Sequence, residues 1–174
     1  SLSMMRQSAA TGNFSTAIGT TSWASGTGSF ALGYSAQSKG DQSIAIGAAE
    51  PITVAGSGNE PSAAYNGNTN TVTEGARSLA FGTKARTEAA ASDSMAFGSN
   101  AKTKAANAVA MGNSSRATAT DAFAFGNTAY ATGANAIAMG RTAQARQLNA
   151  IALGGQAKAL EANALAIGGT AEAS

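Results

Sequence analysis

Cysteine and histidine are both absent from the 174 residues. Without them there is no disulfide framework, no thiolate or imidazole metal site and no imidazole base, which removes most templates of nucleophilic and metal-dependent catalysis. Charge is scarce at 11% of residues, aromatics reach only 6%, and proline appears twice. So few bulky side chains cannot fill a broad globular core, and the composition points to a thin, elongated molecule. Eleven Lys and Arg against nine Asp and Glu leave a formal charge of +2, too little for a nucleic-acid surface. No apolar run reaches membrane-spanning length, and the opening SLSMMRQSAA lacks the apolar stretch of a secretion signal. Residues 1–12 read as a lead-in, in part an expression scar, so that an exported protein would be represented here by an excised piece. Isolated Asp93 and Asp121 supply too few carboxylates for a hard-cation cage. No catalytic, cofactor-binding or metal-ligating residue is expected.

Small residues and glycine dominate instead, and they are arranged periodically. A five-residue phrase of small, large apolar, Ala, large apolar, Gly recurs ten times, as in SFALG, SIAIG, SMAFG, AFAFG and ALAIG. Its closing glycines are Gly19, Gly33, Gly47, Gly82, Gly98, Gly112, Gly126, Gly140, Gly154 and Gly168. They step by 14 residues, except for 35 between Gly47 and Gly82 and 16 between Gly82 and Gly98.

Alternating apolar positions read as a short strand. Small residues three and five after each glycine, such as Ala129 with Ala131 and Ala143 with Ala145, read as a second strand. Turn formers separate the two: Asn113, Asn127 and Gly155 on one side, and Asn107, Asp121, Asn135, Asn149 and Asn163 on the other. Stacked Asn and Asp side chains of that second column can cap turn amides and bond up the stack. Fourteen residues thus close one flattened coil. A coil carries about two large side chains, worth roughly 1.5–3 kcal/mol each when buried, against about 1–2 kcal/mol per residue to order its backbone. Coils must therefore stack, at about 4.8 Å each, into a rod roughly 50 Å long.

The fold class expected is all-β, a parallel β-roll or β-solenoid of 14-residue, two-strand coils over residues 13–174, with a long loop or hairpin insertion at about 50–74. The large residues are expected to fill the roll: Phe30, Leu32, Ile44, Ile46, Leu79, Phe81, Met95, Phe97, Val109, Met111, Phe123, Phe125, Ile137, Met139, Ile151, Leu153, Leu165 and Ile167. That leaves outside a flat column of Ala31, Ala45, Ala80, Ala96, Ala110, Ala124, Ala138, Ala152 and Ala166, where another chain would pack closely. The reverse assignment, with the large residues toward a partner, also predicts an oligomer.

The phrases NAVAMGNSS at Asn107–Ser115 and DSMAFGSNA at Asp93–Ala101 resemble the YadA-like head repeats of trimeric autotransporter adhesins, and the resemblance covers nearly all of residues 13–174. It implies a left-handed parallel β-roll and a homotrimer of chains side by side. It also implies display on the bacterial cell surface, with the membrane engaged only through outer-membrane anchor regions not seen in this chain. The family's collagen-binding members carry His in or near the phrase; this chain has none.

Two places are candidates for ligand contact. The long step holds about 21 extra residues, bracketed by Ile52-Thr53-Val54 and Thr71-Val72-Thr73 around a Gly/Asn/Pro-rich middle with Pro61 and Tyr65. This insertion serves as a recognition loop, as a clasp on a neighbouring chain or as a tolerated surface insertion. Four residues after each glycine comes an outward column in which Arg86, Lys102 and Arg116 form a basic ladder, with Lys84 and Lys104 nearby and Tyr130 beyond. Threefold repetition would give it avidity for an acidic glycan or a host extracellular-matrix protein, although such charges also serve simply to keep a sheet soluble. The partners expected are the chain itself and such a host ligand, with no nucleic acid.

The function expected is a non-enzymatic surface adhesin. Its rivals are a spacer segment of the fibre without a ligand, and an ice-binding solenoid. The latter would need an ordered Thr array, whereas Thr118 and Thr132 are interrupted by Lys104, Arg146 and Leu160. An acyltransferase of the left-handed hexapeptide type would need a six-residue period and a catalytic His, neither of which is present. N-x-S/T triplets at Asn13 and Asn113 are short enough to arise by chance.

Overall fold

The computed structural model describes residues 1–52, 64–65 and 70–174. Its body is two parallel sheets of eleven strands each, and successive coils contribute one strand to each sheet in strict sequence order. Strands of the first sheet are three residues long, such as Val109–Met111 and Phe123–Phe125. Those of the second are two, such as Arg116–Ala117 and Tyr130–Ala131. Identical slots stack on one another, Val109 on Phe123, Ala110 on Ala124 and Met111 on Phe125. The ladder continues past the strands, with the Gly112 amide donating to the Phe97 carbonyl at 2.8 Å.

The turns explain the repeat's punctuation. Gly112 closes its strand at φ +126°, and a β-carbon added there would lie 2.5 Å from the Gly126 carbonyl oxygen of the next coil. Only glycine meets both conditions. On the other side Asn107, Asp121, Asn135, Asn149 and Asn163 sit in the left-handed region at φ 54–61°, which Asn and Asp tolerate better than other side chains. Their side chains bond up the stack as expected. The Asn107 amide donates to Asp121 at 2.9 Å, Asn135 to Asn149 at 3.1 Å, and Asn149 to Asn163 at 3.0 Å.

The interior reverses the expected assignment of the two faces. The alanines expected to meet a partner, Ala31, Ala45, Ala80, Ala96, Ala110, Ala124, Ala138, Ala152 and Ala166, are the core, at no more than 2% exposure. The large residues expected to fill the roll stand on the outer face instead. Phe30, Leu32, Ile44, Ile46, Leu79, Phe81, Met95, Phe97, Val109, Met111, Phe123, Phe125, Ile137, Met139, Ile151, Leu153, Leu165 and Ile167 are all half-buried or exposed. The reason is width. Two tight turns within fourteen residues hold the sheets too close for the roughly 10 Å of ordinary face-to-face packing, and the largest fully buried side chains are threonines.

Each coil fills that narrow space with four small residues, one within each strand and one just before it, as with Ala122, Ala124, Ala129 and Ala131. From Ala108 onward this core is almost entirely alanine, whereas earlier coils use buried hydroxyls. Ser94 and Thr103 meet across the interior at 3.0 Å, and the Ser94 hydroxyl also reaches the Ala91 carbonyl at 2.7 Å. These bonds satisfy polar groups that would be costly if buried alone.

Two local features depart from the sequence reading. Residues 1–12, expected as a lead-in, supply a first coil: Leu2–Met4 pairs with Thr16–Ile18, and Ala9–Ala10 with Trp23–Ala24. Thr71-Val72-Thr73, expected to bracket the insertion, is the coil's own second strand, and Val72–Thr73 lies between Gln37–Ser38 and Arg86–Thr87. The insertion's pairing is antiparallel, with Pro51 opposite Tyr65 and Ile52 opposite Ala64. Thr53, Val54 and Pro61 lie outside the described residues. The 16-residue step places its two extra residues in the turn between Arg86–Thr87 and Met95–Phe97.

Candidate functional site

Because alanine points inward from the middle of every first-sheet strand after Leu2–Met4, the flanking large residues form two parallel outward columns. Between 40% and 63% of Ile44, Phe81, Phe97, Phe125, Met139, Leu165 and Ile167 is accessible. The rings of Phe81 and Phe97 stack at 4.9 Å and 7°, and those of Phe123 and Phe125 lie 6.4 Å apart at 3°. With one strand per coil at about 4.8 Å, the stripe is about 50 Å long. Soluble monomers rarely expose so continuous an apolar surface.

The second sheet shows the opposite character. Its outward column places Arg86, Lys102, Arg116 and Tyr130 on adjacent strands in register, so the basic ladder exists as a row. It is not a free row. Arg86 meets Glu74 at 3.2 Å, Lys102 meets Glu88 at 2.6 Å, and Lys104 approaches Glu88 at 3.9 Å. Partial burial alone would raise the Glu88 carboxyl, but the Lys102 hydrogen bond and charge, with Lys104 and Arg86 behind, hold it below the usual carboxylate range. At the edge, Arg77 forks onto Asp93 with two contacts of 2.6 Å, and that hydrogen bonding holds the Asp93 carboxyl low. Exposed pairs of this kind add little stability.

Farther along the rod these outward columns carry no carboxylate until Glu172. The Arg116 guanidinium lies over the Tyr130 ring, 5.7 Å from its centroid. One coil beyond Tyr130, Arg146 donates from Nε and Nη2 to the Gln144 side-chain oxygen at 3.0 and 2.6 Å. Tyr130, Thr132, Gln144 and Arg146 line a shallow open groove of about 330 Å³. The repeat alone singles out neither this groove nor Glu74 and Glu88. The signal was present in the column six residues after each glycine, which holds Glu88, Lys104, Thr132 and Arg146. Of the other candidates, Lys84 lies just past Gly82, and Tyr65 belongs to the insertion's short ladder. Among the described residues no group of three or more acids, His or Cys is placed to hold a metal ion.

Comparison with known proteins adds a family and a fold. The YadA head domain repeat matches residues 6–22, 10–36, 24–49, 89–115, 117–143 and 145–171. The longest unmatched stretch, 50–88, is where the period is interrupted. No curated protein matches. Among solved structures, the collagen-binding domain of the Yersinia adhesin YadA is similar in fold, with a TM-score of 0.61 and 23% identity over 92% of this chain and 69% of that one.

Proposed function

The chain belongs to the YadA head repeat family, and from that premise we propose that it is the non-enzymatic head of an adhesin on the bacterial outer surface. It attaches to host cells or extracellular matrix through surfaces repeated on a homotrimer. The observation that carries this reading is the two-faced rod. An apolar stripe along one sheet calls for burial against copies of the chain, while the opposite sheet, polar and rigidly spaced, stays free for ligand. Three chains set the apolar sheets toward a common axis and the polar sheets outward, so one weak contact recurs on three sides and along the rod. The number three comes from the family and the inward direction from the stripe.

The Yersinia neighbour is described as collagen-binding, so collagen belongs in the test with other matrix proteins and host-type glycans. The step of 35 exceeds the period of 14 by 21 residues, and deleting residues 50–70 would join Ala49 to Thr71 with the period restored. Both forms should remain folded. Saturable binding to at least one immobilised ligand is expected, and its loss in the deleted form would assign recognition to the insertion. Absence of binding by the assembled head to every matrix protein and glycan would favour a spacer segment instead.

A further inference from the structure

The charge on the polar sheet is distributed unevenly. From Lys102 to Lys158 the outward columns carry five cations, Lys102, Lys104, Arg116, Arg146 and Lys158, and no carboxylate. On these columns acids stand only beyond the two ends of the stretch, Asp121 lying in a turn outside them. Glu88 holds Lys102 and Lys104, and Glu172 holds Lys158 at 3.2 Å. Among the described residues, Arg116 and Arg146 meet no carboxylate. Arg116 lies on an aromatic ring, and Arg146 is held by a neutral amide oxygen that orients its fork without cancelling its charge. The two belong to coils two steps apart, about 10 Å along the axis. Between them lies the coil of Tyr130, whose ring forms one wall of the groove that ends at Arg146.

We propose that this groove is the central subsite for a linear anionic polysaccharide laid along the rod, one bearing sulfate or uronate groups. The proposal deepens the adhesin reading by naming a ligand class, and it rests on that reading. Four of the five coils from Lys102 to Lys158 present a cation, so a chain parallel to the axis meets charge at nearly every step. The fifth presents Tyr130, an aromatic wall against which the apolar face of a sugar ring packs. Gln144 and Thr132 add hydrogen-bonding groups suited to hydroxyls. Arg146, forked and oriented, suits a planar carboxylate or a sulfate. A single-stranded nucleic acid is also a linear polyanion, but its bases need successive stacking platforms. Here one aromatic serves five coils.

The test is surface plasmon resonance of the full 174-residue protein on immobilised heparin, desulfated heparin and a single-stranded oligonucleotide, across a salt series. Heparin should bind best, with binding that weakens as salt rises. Arg146→Gln should weaken heparin binding about tenfold, and Tyr130→Ala by several-fold. Tyr130→Phe, which retains the ring, should remain near wild type. Arg77→Gln removes a cation from the turn edge and should change nothing. The proposal fails if heparin does not bind, if Arg77→Gln costs as much as Arg146→Gln, or if the oligonucleotide binds as tightly as heparin. Heparin binding that persists unchanged in Arg146→Gln and Tyr130→Ala would remove this subsite, and saturable binding of a matrix protein by the same protein would leave the adhesin reading standing.

Discussion

Replacing Phe97 by Asp should yield a folded protein that no longer assembles. Within one chain Phe97 is only partly covered, 42% exposed and stacked on Phe81 at 4.9 Å. The core of its coil is Ser94, Ala96, Ala101 and Thr103, all behind the sheet and out of reach of the substitution. The coil should therefore survive. In the proposed assembly the same position faces copies of itself, and each carboxylate would enter an apolar interface without a partner. That costs more than the roughly 2–7 kcal/mol of an unpaired neutral polar group, and it recurs in every copy. Sedimentation should show single chains, with the β-type far-ultraviolet circular dichroism of the parent. An unchanged assembly would mean that the stripe is covered by something other than this chain.

Replacing Ala124 by Leu should do the reverse and destroy the chain itself. Ala124 is fully buried between the sheets, beside Ala110 and Ala138 on the neighbouring strands. Nothing larger than threonine is fully buried anywhere among the described residues. A leucine there forces the two strands of its coil apart and opens the ladders to the coils above and below. Overpacking costs about 1–3 kcal/mol even in a broad core that can adjust, and a coil only two short strands wide has little room to yield. Thermal unfolding followed by circular dichroism should fall by about 10 °C or more, with insoluble expression as the extreme case. Phe125→Leu, one residue along and outward-facing, is the control and should shift the transition far less. Equal tolerance of both substitutions would contradict the alanine core.

These opposed outcomes at neighbouring positions mark where sequence reasoning reached its limit. The period of 14, the two strands per coil, the turn sites and the asparagine stack were all legible, because a solenoid repeats the same local requirement in every coil. Only Gly fits at Gly112, and Asn at Asn135 tolerates φ > 0 and bonds to its neighbour. The direction of the faces was not legible in the same way. Period-two alternation says that Ala124 and Phe125 point to opposite sides and leaves open which side is inside. The habit of placing phenylalanine in a core fails where the turns are so short that the interior is one methyl group deep on each side.

The first coil was missed for a related reason. Leu2, Ser3 and Met4 fill the strand slots, but Met5 stands where the phrase has glycine. The groove at Tyr130 was missed because it lies between coils. Gln144 and Arg146 are 14 and 16 residues from Tyr130 in the chain, and only the stacking of their strands brings them to one place.

The polar face shows the same division. Arg86, Lys102 and Arg116 could be aligned from the period alone. The occupation of Arg86 by Glu74 and of Lys102 by Glu88 depends on the neighbouring column, and it shifts the accessible charge along the rod toward Arg116 and Arg146.

The most direct measurement is the mass of the purified chain by sedimentation equilibrium at micromolar concentration and moderate salt. A two-faced rod whose apolar sheet is buried against copies of itself should sediment as three times the 16.9 kDa of one chain. A stable, soluble species of 16.9 kDa would mean that the stripe from Ile44 to Ile167 is left open to water, and it would contradict the proposed assembly at its base.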